Sequence, residues 1–421
     1  MDGHGPSRPE LPIAHSGRAV LGWRDRAQLL TSRSSVDTNG TPSRHVLFLN
    51  WRDTTNPEGG GSEVYIERIA AELVAVGHRV TLLCAAHDAA ATAGTTGSGV
   101  RVLRRGTRMT VYLRAALTCI AGRFGLGPLS RRRLGRPDLV VDVCNGVPFF
   151  APLYAGRPVV ALVHHVHREQ WPVVFGPWMA RLGWWIESWL AVRLYRRCRY
   201  VTVSEASRAE LTSLGVAAER IDVVPNGTPP VIGPAWPRTP HPSLLVLGRL
   251  VPHKRVEIAL RTVAALAREL PELELVVAGQ GWWEEPLREL CASLGITDQV
   301  RFAGFVSEEE KHGLLCSAWI ALTPSLKEGW GLTIVEAAAR STPTVAFRYA
   351  GGVAEAMVDT RTGLLVDDEA EFTTVVRDLL GDDVRRKAMG EAALAHAARF
   401  TWAATGARFA QLVARATAAT G

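Results

Sequence analysis

Two glutamates separated by seven residues are the first candidates for chemistry in this chain of 421 residues. Glu328 and Glu336 belong to the run KEGWGLTIVE, in which Gly329 and Gly331 discourage an early helix start. We expect Glu328 in a loop and Glu336 about one turn into the following helix, with free backbone amides between them. Carboxylates accept from the paired hydroxyls of a ribose or hexose, and helix N-terminal amides hold phosphate. The alternative is two surface glutamates at a helix start.

Three cations stand where another predicted strand ends and a helix begins. Arg249, Lys254 and Arg255 lie in the run GRLVPHKR, which starts at Gly248. The positive end of a helix dipole disfavours cations at this place. A polyanion such as a diphosphate relieves that conflict, because the cations pair with its oxygens. The run therefore predicts a diphosphate site, and a solvated basic turn is the alternative.

Two further runs follow predicted strands in the N-terminal half. The loop PEGGGS precedes a helix, so Gly60 and Gly61 would let backbone amides approach an anion, although a plain capped turn explains the same loop. His164 and His165 end a strand, and their side chains point to opposite faces, so they cannot easily share one metal. A histidine there serves as an acid or base, or simply fills the core.

Short apolar runs alternate with helical segments on both sides of a proline-rich stretch. Seven predicted strands precede it, at residues 45–50, 79–84, 100–103, 139–144, 159–164, 200–204 and 221–225. Six follow it, at residues 244–248, 273–278, 300–303, 319–322, 344–347 and 364–366. This alternation is typical of parallel sheets covered by helices. The sequence predicts two doubly wound, Rossmann-like α/β domains that face a central cleft, with the ligand at the carboxyl ends of the strands.

The predicted domain boundaries follow from composition. Residues 1–43 are rich in Gly, Pro, Ser and Arg without a sustained period, which indicates a disordered extension. An N-terminal domain at 44–228 and a C-terminal domain at 243–400 are joined by a linker at 229–242 that holds six prolines. We expect residues 401–421 to form a helix that returns to the N-terminal domain.

Composition and cysteine spacing exclude several classes of protein. With 47% hydrophobic and 21% charged residues, the chain is neither disordered nor collagen-like. Its six cysteines show no Cys-x-x-Cys spacing, which disfavours a zinc site or a secreted disulfide framework. No uncharged apolar stretch reaches the ~18 residues of a membrane span, and the N-terminus lacks the order of a secretory signal. We therefore expect a cytoplasmic protein.

The net charge of +7 is concentrated in one region. Residues 101–136 contain ten arginines and no acid, and residues 171–189 contain five of the 13 tryptophans, followed by a basic flank. Aromatic side chains followed by basic residues are typical of segments that bind a bilayer surface. We therefore expect peripheral contact with an anionic membrane, on the inner face of the plasma membrane. A helix packed on its own domain is the alternative. We expect no nucleic-acid partner, because no reading motif is visible.

Together these runs resemble the retaining nucleotide-sugar glycosyltransferases of family 4, which have the GT-B fold of two Rossmann-like domains. The resemblance extends from about His45 to the C-terminus, and its most specific part is the run from Glu328 to Glu336, with the family's internal Gly-aromatic-Gly-Leu. Residues 248–254 resemble the family's Gly-Arg-Leu...Lys element. Three shorter matches are VPNG at the domain junction, GQG at 279–281 and GG at 351–352.

The resemblance implies a role for each matched residue. Arg249 and Lys254 would hold the donor diphosphate, Glu336 would bind the ribose, Glu328 would contact the donor hexose, and His164 would stand at the reacting centre. The catalytic set is therefore His164, Arg249, Lys254 and Glu328. The predicted donor-binding residues are Gly60, Gly61, Gly248, Gly279, Gly281, Gly329, Trp330, Gly331, Leu332 and Glu336. The departures from the pattern are Arg255 and Ser341 at usual glycines and Trp282 and Ala354 at usual prolines.

The chemistry of these residues agrees with glycosyl transfer. Breaking a glycosyl phosphate bond develops negative charge on the leaving diphosphate, which preorganised cations and helix amides stabilise. No Asp-x-Asp sequence occurs, so a metal clamp has no obvious ligands. We predict metal-independent, cofactor-free transfer with retention. The donor is a UDP- or GDP-hexose, and the acceptor is a glycolipid, polyprenyl-linked or polysaccharide acceptor of envelope or glycan biosynthesis.

Two other functions fit the same fold. A nucleotide-sugar epimerase or phosphorylase needs a water-activating acid or base, or a cofactor lysine, that the sequence does not identify. A non-catalytic scaffold would only bind the nucleotide sugar. Release of nucleoside diphosphate with and without an acceptor separates an enzyme from a scaffold.

Overall fold

The computed structural model describes residues 42–88, 90–230 and 236–418, and their strands form two main sheets. Almost all of the predicted extension lies outside the described residues, as do residues 231–235 of the predicted linker and residues 419–421 of the predicted C-terminal helix. Helices cover both sheets. The predicted class of two doubly wound α/β domains is confirmed.

In the described chain the first sheet has eight strands in the order β3-β4-β2-β1-β5-β6-β7-β8, and only β3 is antiparallel to its neighbour. The strands are β1 (His45–Leu49), β2 (Arg79–Cys84), β3 (Ala93–Thr95), β4 (Arg101–Arg104), β5 (Leu139–Val143), β6 (Val159–Leu162), β7 (Arg199–Thr202) and β8 (Ile221–Val223). Strand β3 was not predicted, because its three exposed residues form no apolar run. Strands β6, β7 and β8 end two residues before their predicted ends. Buried valines (Val163, Val203 and Val224) follow each strand, so the apolar run that indicated the strand continues past the paired residues.

Helices cover both faces of this sheet. They are α1 (Gly61–Ala75), α2 (Val111–Arg123), α3 (Trp171–Val174), α4 (Pro177–Trp185), α5 (Val192–Leu194) and α6 (Glu205–Ser213), and the π-helical segment Ile186–Ala191 joins α4 to α5. Val46 and Phe48 of β1 belong to the core cluster that includes α1, whereas Leu47 and Leu49 belong to the cluster that includes α2. Successive strand residues point to opposite faces, so β1 is buried on both sides.

The second sheet has, within the described ranges, six parallel strands in the order β11-β10-β9-β12-β13-β14. The strands are β9 (Ser243–Leu247), β10 (Glu274–Ala278), β11 (Val300–Gly304), β12 (Ile320–Thr323), β13 (Thr344–Phe347) and β14 (Gly363–Val366). The helices are α7 (Val256–Leu266), α8 (Glu284–Ser293), α9 (Glu308–Ser317), α10 (Leu332–Ala338), α11 (Val353–Ala356), α12 (Glu369–Gly381) and α13 (Asp383–Ala397). The strand order reverses between β9 and β12, so the loops that follow these strands open a crevice at the carboxyl edge of the sheet.

The last helix, α14 (Trp402–Ala418), lies against α1 of the first domain. Phe409 stacks on Phe48 with 5.9 Å between ring centroids. Gly406 is required by the close packing, since a Cβ there would stand 2.3 Å from Cβ of Glu72. The chain passes between the two domains twice, near Thr228 and near Phe400, and the two passages lie side by side. The Thr228 amide donates to the Phe400 carbonyl at 3.0 Å.

Candidate active site

A cavity at the reversal point of the second sheet brings the two C-terminal motifs together. Its lining includes Gly248, Arg249, Lys254, Ser325, Glu328 and Thr333. The first three residues follow β9, and Ser325 and Glu328 follow β12. Adjacent parallel strands end at the same edge of a sheet, so residues more than 70 positions apart become neighbours.

Lys254 and Glu328 form an ion pair inside this cavity. The Nζ of Lys254 lies 2.5 Å from Oε1 of Glu328, and the Ser325 hydroxyl donates to the same oxygen at 2.7 Å. Burial on its own would raise the pKa of Glu328, but Lys254 and the hydrogen bonds hold that pKa below its usual value. Glu328 is therefore a carboxylate at neutral pH, and it can accept hydrogen bonds from sugar hydroxyls.

Arg249 reaches across the crevice to the first domain. Its Nε lies 3.4 Å from the position that a Cβ on Gly60 would occupy. Gly61 faces Leu332 in the same way, since a Cβ on Gly61 would lie 3.5 Å from Cδ2 of Leu332. The predicted glycine loop and the predicted diphosphate loop thus face each other from the two domains.

Glu63 and Arg52, which the sequence analysis did not identify, shape the glycine loop. Glu63 is buried, and its carboxylate accepts from the Gly60 amide at 2.8 Å and lies 3.3 Å from Nε of Arg52. Arg52 also donates to the Glu58 carbonyl at 2.5 Å. Burial lowers the pKa of Arg52, and Arg249 lowers it further. A glutamate in the first turn of a glycine-capped helix was a usable sequence signal, whereas nothing distinguished Arg52 in an arginine-rich chain.

His164 lies at the inner edge of the first domain, just beyond β6. Its ring packs edge-on against Tyr65, with 5.1 Å between centroids. Burial lowers the pKa of His164 to about 4, so the ring is neutral at pH 7. Its Nε2 is buried and has no hydrogen-bond partner among the described residues. Its carbonyl oxygen lies 2.6 Å from the place of a Cβ on Gly329, so any side chain at Gly329 would push the domains apart.

Glu336 occupies the predicted position, in the second turn of α10, but it has a partner that the sequence did not indicate. Lys311 Nζ lies 3.0 Å from Oε1 of Glu336 and 2.8 Å from Oε2 of Glu308. Burial raises the pKa of Glu336, although Lys311 opposes this effect. Helix α10 begins after Gly331, whose φ of +96° favours glycine.

The remaining predicted glycines allow close packing of backbone. A Cβ on Gly279 would stand 1.9 Å from the Gly248 carbonyl oxygen, and one on Gly281 would stand 2.1 Å from the Leu250 carbonyl oxygen. These two glycines therefore support the loop that carries Arg249, whatever further contact they make with a donor.

The surroundings of two motif residues differ from what the motifs suggested. Trp330 was expected among the donor-binding residues, and its side chain lies buried in the core, where it packs edge-on against Phe400 with 5.1 Å between ring centroids. Arg255 was grouped with Arg249 and Lys254, but its guanidinium pairs with Glu369 at 2.7 Å. The backbone at Arg255 is left-handed, with φ of +51°, and the side chain is directed to Glu369.

The structure explains why glycine is usual at two of the four positions that depart from the family pattern. Arg255 and Ser341 replace usual glycines, and both have left-handed backbone, with φ of +51° and +55°. Glycine adopts this conformation without strain, which explains why it is usual there. Nothing in the structure explains the substitutions at Trp282 and Ala354.

Two contacts made by charged side chains join the second domain to helix α6 of the first domain. Lys327, next to Glu328, pairs with Glu210. The Glu355 carboxylate accepts from the backbone amides of Glu205 and Ala206, both at 2.8 Å, at the positive N-terminus of α6. These contacts hold the two domains together beside the cavity.

We predict that Glu355→Ala opens the crevice. A carboxylate at a helix N-terminus contributes about 1 to 2 kcal/mol in partly buried geometry, so a ligand that bridges the domains should bind about 5- to 30-fold more weakly. Calorimetry with nucleoside diphosphate and the radius of gyration from small-angle scattering measure the two effects.

Asp368→Ala is the matched control for this prediction, because Asp368 caps α12 within one domain by accepting from the Glu371 amide at 2.8 Å. It should lower thermal stability without changing nucleotide affinity. Equal affinity losses in both variants would contradict the role of Glu355 between the domains.

Comparison with known protein families matches both domains. The model described as Glycosyltransferase Family 4 matches residues 59–230, and the model described as Glycosyl transferases group 1 matches residues 237–396. The two matches together cover well over half of the chain.

Curated relatives and solved structures extend this comparison. A D-inositol 3-phosphate glycosyltransferase 2 from Catenulispora acidiphila is 40% identical over 183 residues, 41% of this chain, and the match spans only 43% of that protein's length. A GDP-mannose-dependent alpha-(1-6)-phosphatidylinositol monomannoside mannosyltransferase from Mycolicibacterium smegmatis is 28% identical over 85% of this chain and 95% of its own. Sucrose-phosphate synthase from Thermosynechococcus elongatus shares the fold, with a TM-score of 0.75 and 17% identity over 90% of this chain and 100% of its own.

Proposed function

This chain belongs to glycosyltransferase family 4 and has the GT-B fold, and we propose that it transfers a hexose from a nucleoside diphosphate sugar to its acceptor with retention. One observation carries the proposal: the Lys254–Glu328 pair lies in a cavity that also includes Arg249, and Arg249 faces Gly60 of the other domain. A cationic end and a carboxylate end in one crevice suit the two parts of a nucleotide sugar.

The donor would lie along the crevice with its diphosphate at Arg249 and Lys254. Charge that develops on the leaving diphosphate would be stabilised by these cations, which are already in place before the reaction. Glu336 would accept from the ribose hydroxyls, and Glu328 from a hexose hydroxyl. The mannosyltransferase relative is described as GDP-mannose-dependent, which supports GDP-mannose beside UDP-hexoses as a donor to test.

The acceptor hydroxyl oxygen would attack the anomeric carbon from the face that the diphosphate vacates, which gives retention, and its proton would pass to an oxygen of the departing diphosphate. His164 is neutral and its Nε2 lacks a protein partner among the described residues, so it is available to hydrogen-bond a substrate hydroxyl. No side chain is assigned as a separate acid, because the leaving diphosphate is a weak base that the cations already neutralise.

The acceptor we propose is a glycolipid or polyprenyl-linked sugar of envelope or polysaccharide synthesis, presented on the cytoplasmic face of a membrane. The names of two relatives support an acceptor that carries phosphate, since one acts on D-inositol 3-phosphate and the other on a phosphatidylinositol mannoside. Among the described residues no helix combines the length and apolar character needed to span a bilayer.

We predict that turnover does not need a metal ion. The chain has no Asp-x-Asp sequence, and no three His, Cys, Asp or Glu residues are grouped as a metal site within the described ranges. Turnover in excess EDTA should therefore equal turnover in buffer alone. Loss of turnover in EDTA that added magnesium or manganese restores would overturn this part of the proposal.

A donor screen followed by product analysis tests the whole proposal. A UDP- or GDP-sugar at 100 times its dissociation constant should raise the free energy of unfolding by about 2.7 kcal/mol. With the stabilising donor and phosphatidylinositol or inositol phosphate as acceptor, we expect release of nucleoside diphosphate and a product with the donor's anomeric configuration. An epimerised sugar without acceptor would support the epimerase, and binding without release would support the scaffold.

A further inference from the structure

Helix α2 exposes a row of large apolar side chains to solvent. Leu113, Leu117, Ile120 and Phe124 follow at spacings of four, three and four residues and are 38% to 77% exposed. The opposite side of α2 is buried against the sheet. A helix on the surface of a globular domain normally places polar residues on the side that faces solvent. This row is therefore unexplained by the fold of its own domain.

A second row with the same spacing lies on α4 and the π-helical segment that follows. Trp178, Leu182, Trp185 and Trp189 are 45% to 84% exposed. The rings of Trp185 and Trp189 stack at 5.3 Å between centroids, and Arg193 lies over Trp189 at 4.4 Å. Exposed tryptophans with a cation beside them are typical of membrane interfaces.

The two rows lie on the same side of the first domain. The buried sides of α2 and of the segment around residues 184–194 pack into one core cluster, which contains Leu47 and Leu49 of β1. Helices α1 and α14 pack on the opposite face of the sheet. Both rows therefore point away from the same face of the sheet.

The exposed charge of residues 101–197, the segment that carries both rows, is almost entirely positive. Between residues 101 and 197 the only exposed acidic residue is Glu169, and the whole of this range is described. Thirteen arginines in the same range are exposed: Arg101, Arg108, Arg114, Arg123, Arg131, Arg132, Arg133, Arg157, Arg168, Arg181, Arg193, Arg196 and Arg197. From outside this range, Glu58 lies 3.6 Å from Arg108. A segment that combines apolar rows with thirteen exposed arginines and one exposed acid is complementary to lipids with anionic headgroups.

We propose that this face of the first domain docks on an anionic phospholipid bilayer. The two rows enter the boundary between headgroups and acyl chains, and the arginines pair with lipid phosphates. The inference rests on the proposed function, because docking places the acceptor domain where a lipid-linked acceptor is presented. The second domain carries the donor residues and stays on the aqueous side.

Sedimentation with vesicles of phosphatidylglycerol or of phosphatidylcholine tests the proposal. We expect binding to phosphatidylglycerol that weakens with salt, and little binding to phosphatidylcholine. A triple change of Arg131, Arg132 and Arg133 to Gln should weaken binding on the order of a hundredfold, since each cation near an anionic surface contributes about fivefold. The matched control changes Arg268, Arg385 and Arg408, which are exposed on other parts of the molecule.

The apolar rows have their own test. Leu113→Ser with Leu117→Ser, and separately Trp178→Ser with Trp185→Ser, should remove the part of the binding that resists salt. Val384→Ser with Leu394→Ser changes two exposed apolar residues of the second domain and should leave binding intact. In the unchanged protein, brominated lipid should quench tryptophan fluorescence, and the Trp178 and Trp185 changes should reduce that quenching.

Three results would overturn the docking proposal: equal binding to both vesicle types, undiminished binding of the arginine variant, or apolar-row variants that alter self-association and not vesicle binding. Turnover with water-soluble inositol phosphate separates this proposal from the proposed function. The surface variants should keep that turnover and their nucleotide affinity. Absence of nucleoside diphosphate release in the unchanged protein with both inositol phosphate and lipid-linked acceptors would count against the enzyme function, whatever the vesicles show.

Discussion

Lys254→Ala should lower turnover by on the order of a hundredfold or more, the usual effect of losing one preorganised group that stabilises transition-state charge. Lys254 is the cation in contact with Glu328, so its removal also leaves a buried carboxylate without its partner. Because the charge on the diphosphate grows as the glycosyl bond breaks, kcat and kcat/KM should fall by similar factors. Steady-state kinetics of nucleoside diphosphate release measure both.

Arg255→Gly is the matched control for Lys254→Ala. It removes the neighbouring positive charge, which pairs with Glu369 away from the cavity, and it places glycine at a left-handed position. Turnover should therefore remain close to that of the unchanged protein. If Lys254→Ala kept near-normal turnover and donor affinity, or if both variants lost turnover equally, Lys254 would not be the diphosphate ligand.

Glu336→Gln should weaken nucleoside diphosphate binding by about 1 to 3 kcal/mol, because a buried ribose hydroxyl loses a charged acceptor. The glutamine keeps the size of the side chain, so α10 and its packing are preserved. Calorimetry gives the affinity directly. A nucleoside diphosphate whose ribose lacks both hydroxyls should bind the variant and the unchanged protein equally well.

Glu308→Gln separates this effect from the loss of a partner for Lys311. Glu308 is the other carboxylate that contacts Lys311, at 2.8 Å, and its side chain is mostly exposed. Glu308→Gln weakens the ionic contact of Lys311 but leaves Glu336, the proposed acceptor for the ribose hydroxyls, in place. The affinity for nucleoside diphosphate should therefore change little. Unchanged affinity in Glu336→Gln, or an equal loss in both variants, would refute the ribose role.

The fold could be predicted because its signal is local and repeated. Each buried parallel strand is a short apolar run, and each turn from strand to helix carries glycine or polar residues, so 13 strands could be predicted without knowledge of their partners. The sequence placed Lys254 and Glu328 after two strands of the same domain, but their contact depends on those strands being neighbours in the sheet, which only the structure shows. The edge strand at Ala93–Thr95 was not predicted, because all three of its residues are exposed and form no apolar run.

What the sequence determined by itself was the pattern of two doubly wound domains and the motifs at the ends of their strands. Only the tertiary structure decided which side chains meet across the crevice: Arg249 with Gly60, the His164 carbonyl with Gly329, and Glu355 with the start of α6. It also paired Arg255 with Glu369, packed Trp330 against Phe400 and placed Lys311 on Glu336. The physical reason is that strand and helix periodicity are set by residues a few positions apart. Contacts between domains depend on how two rigid bodies pack, and no local pattern records that packing.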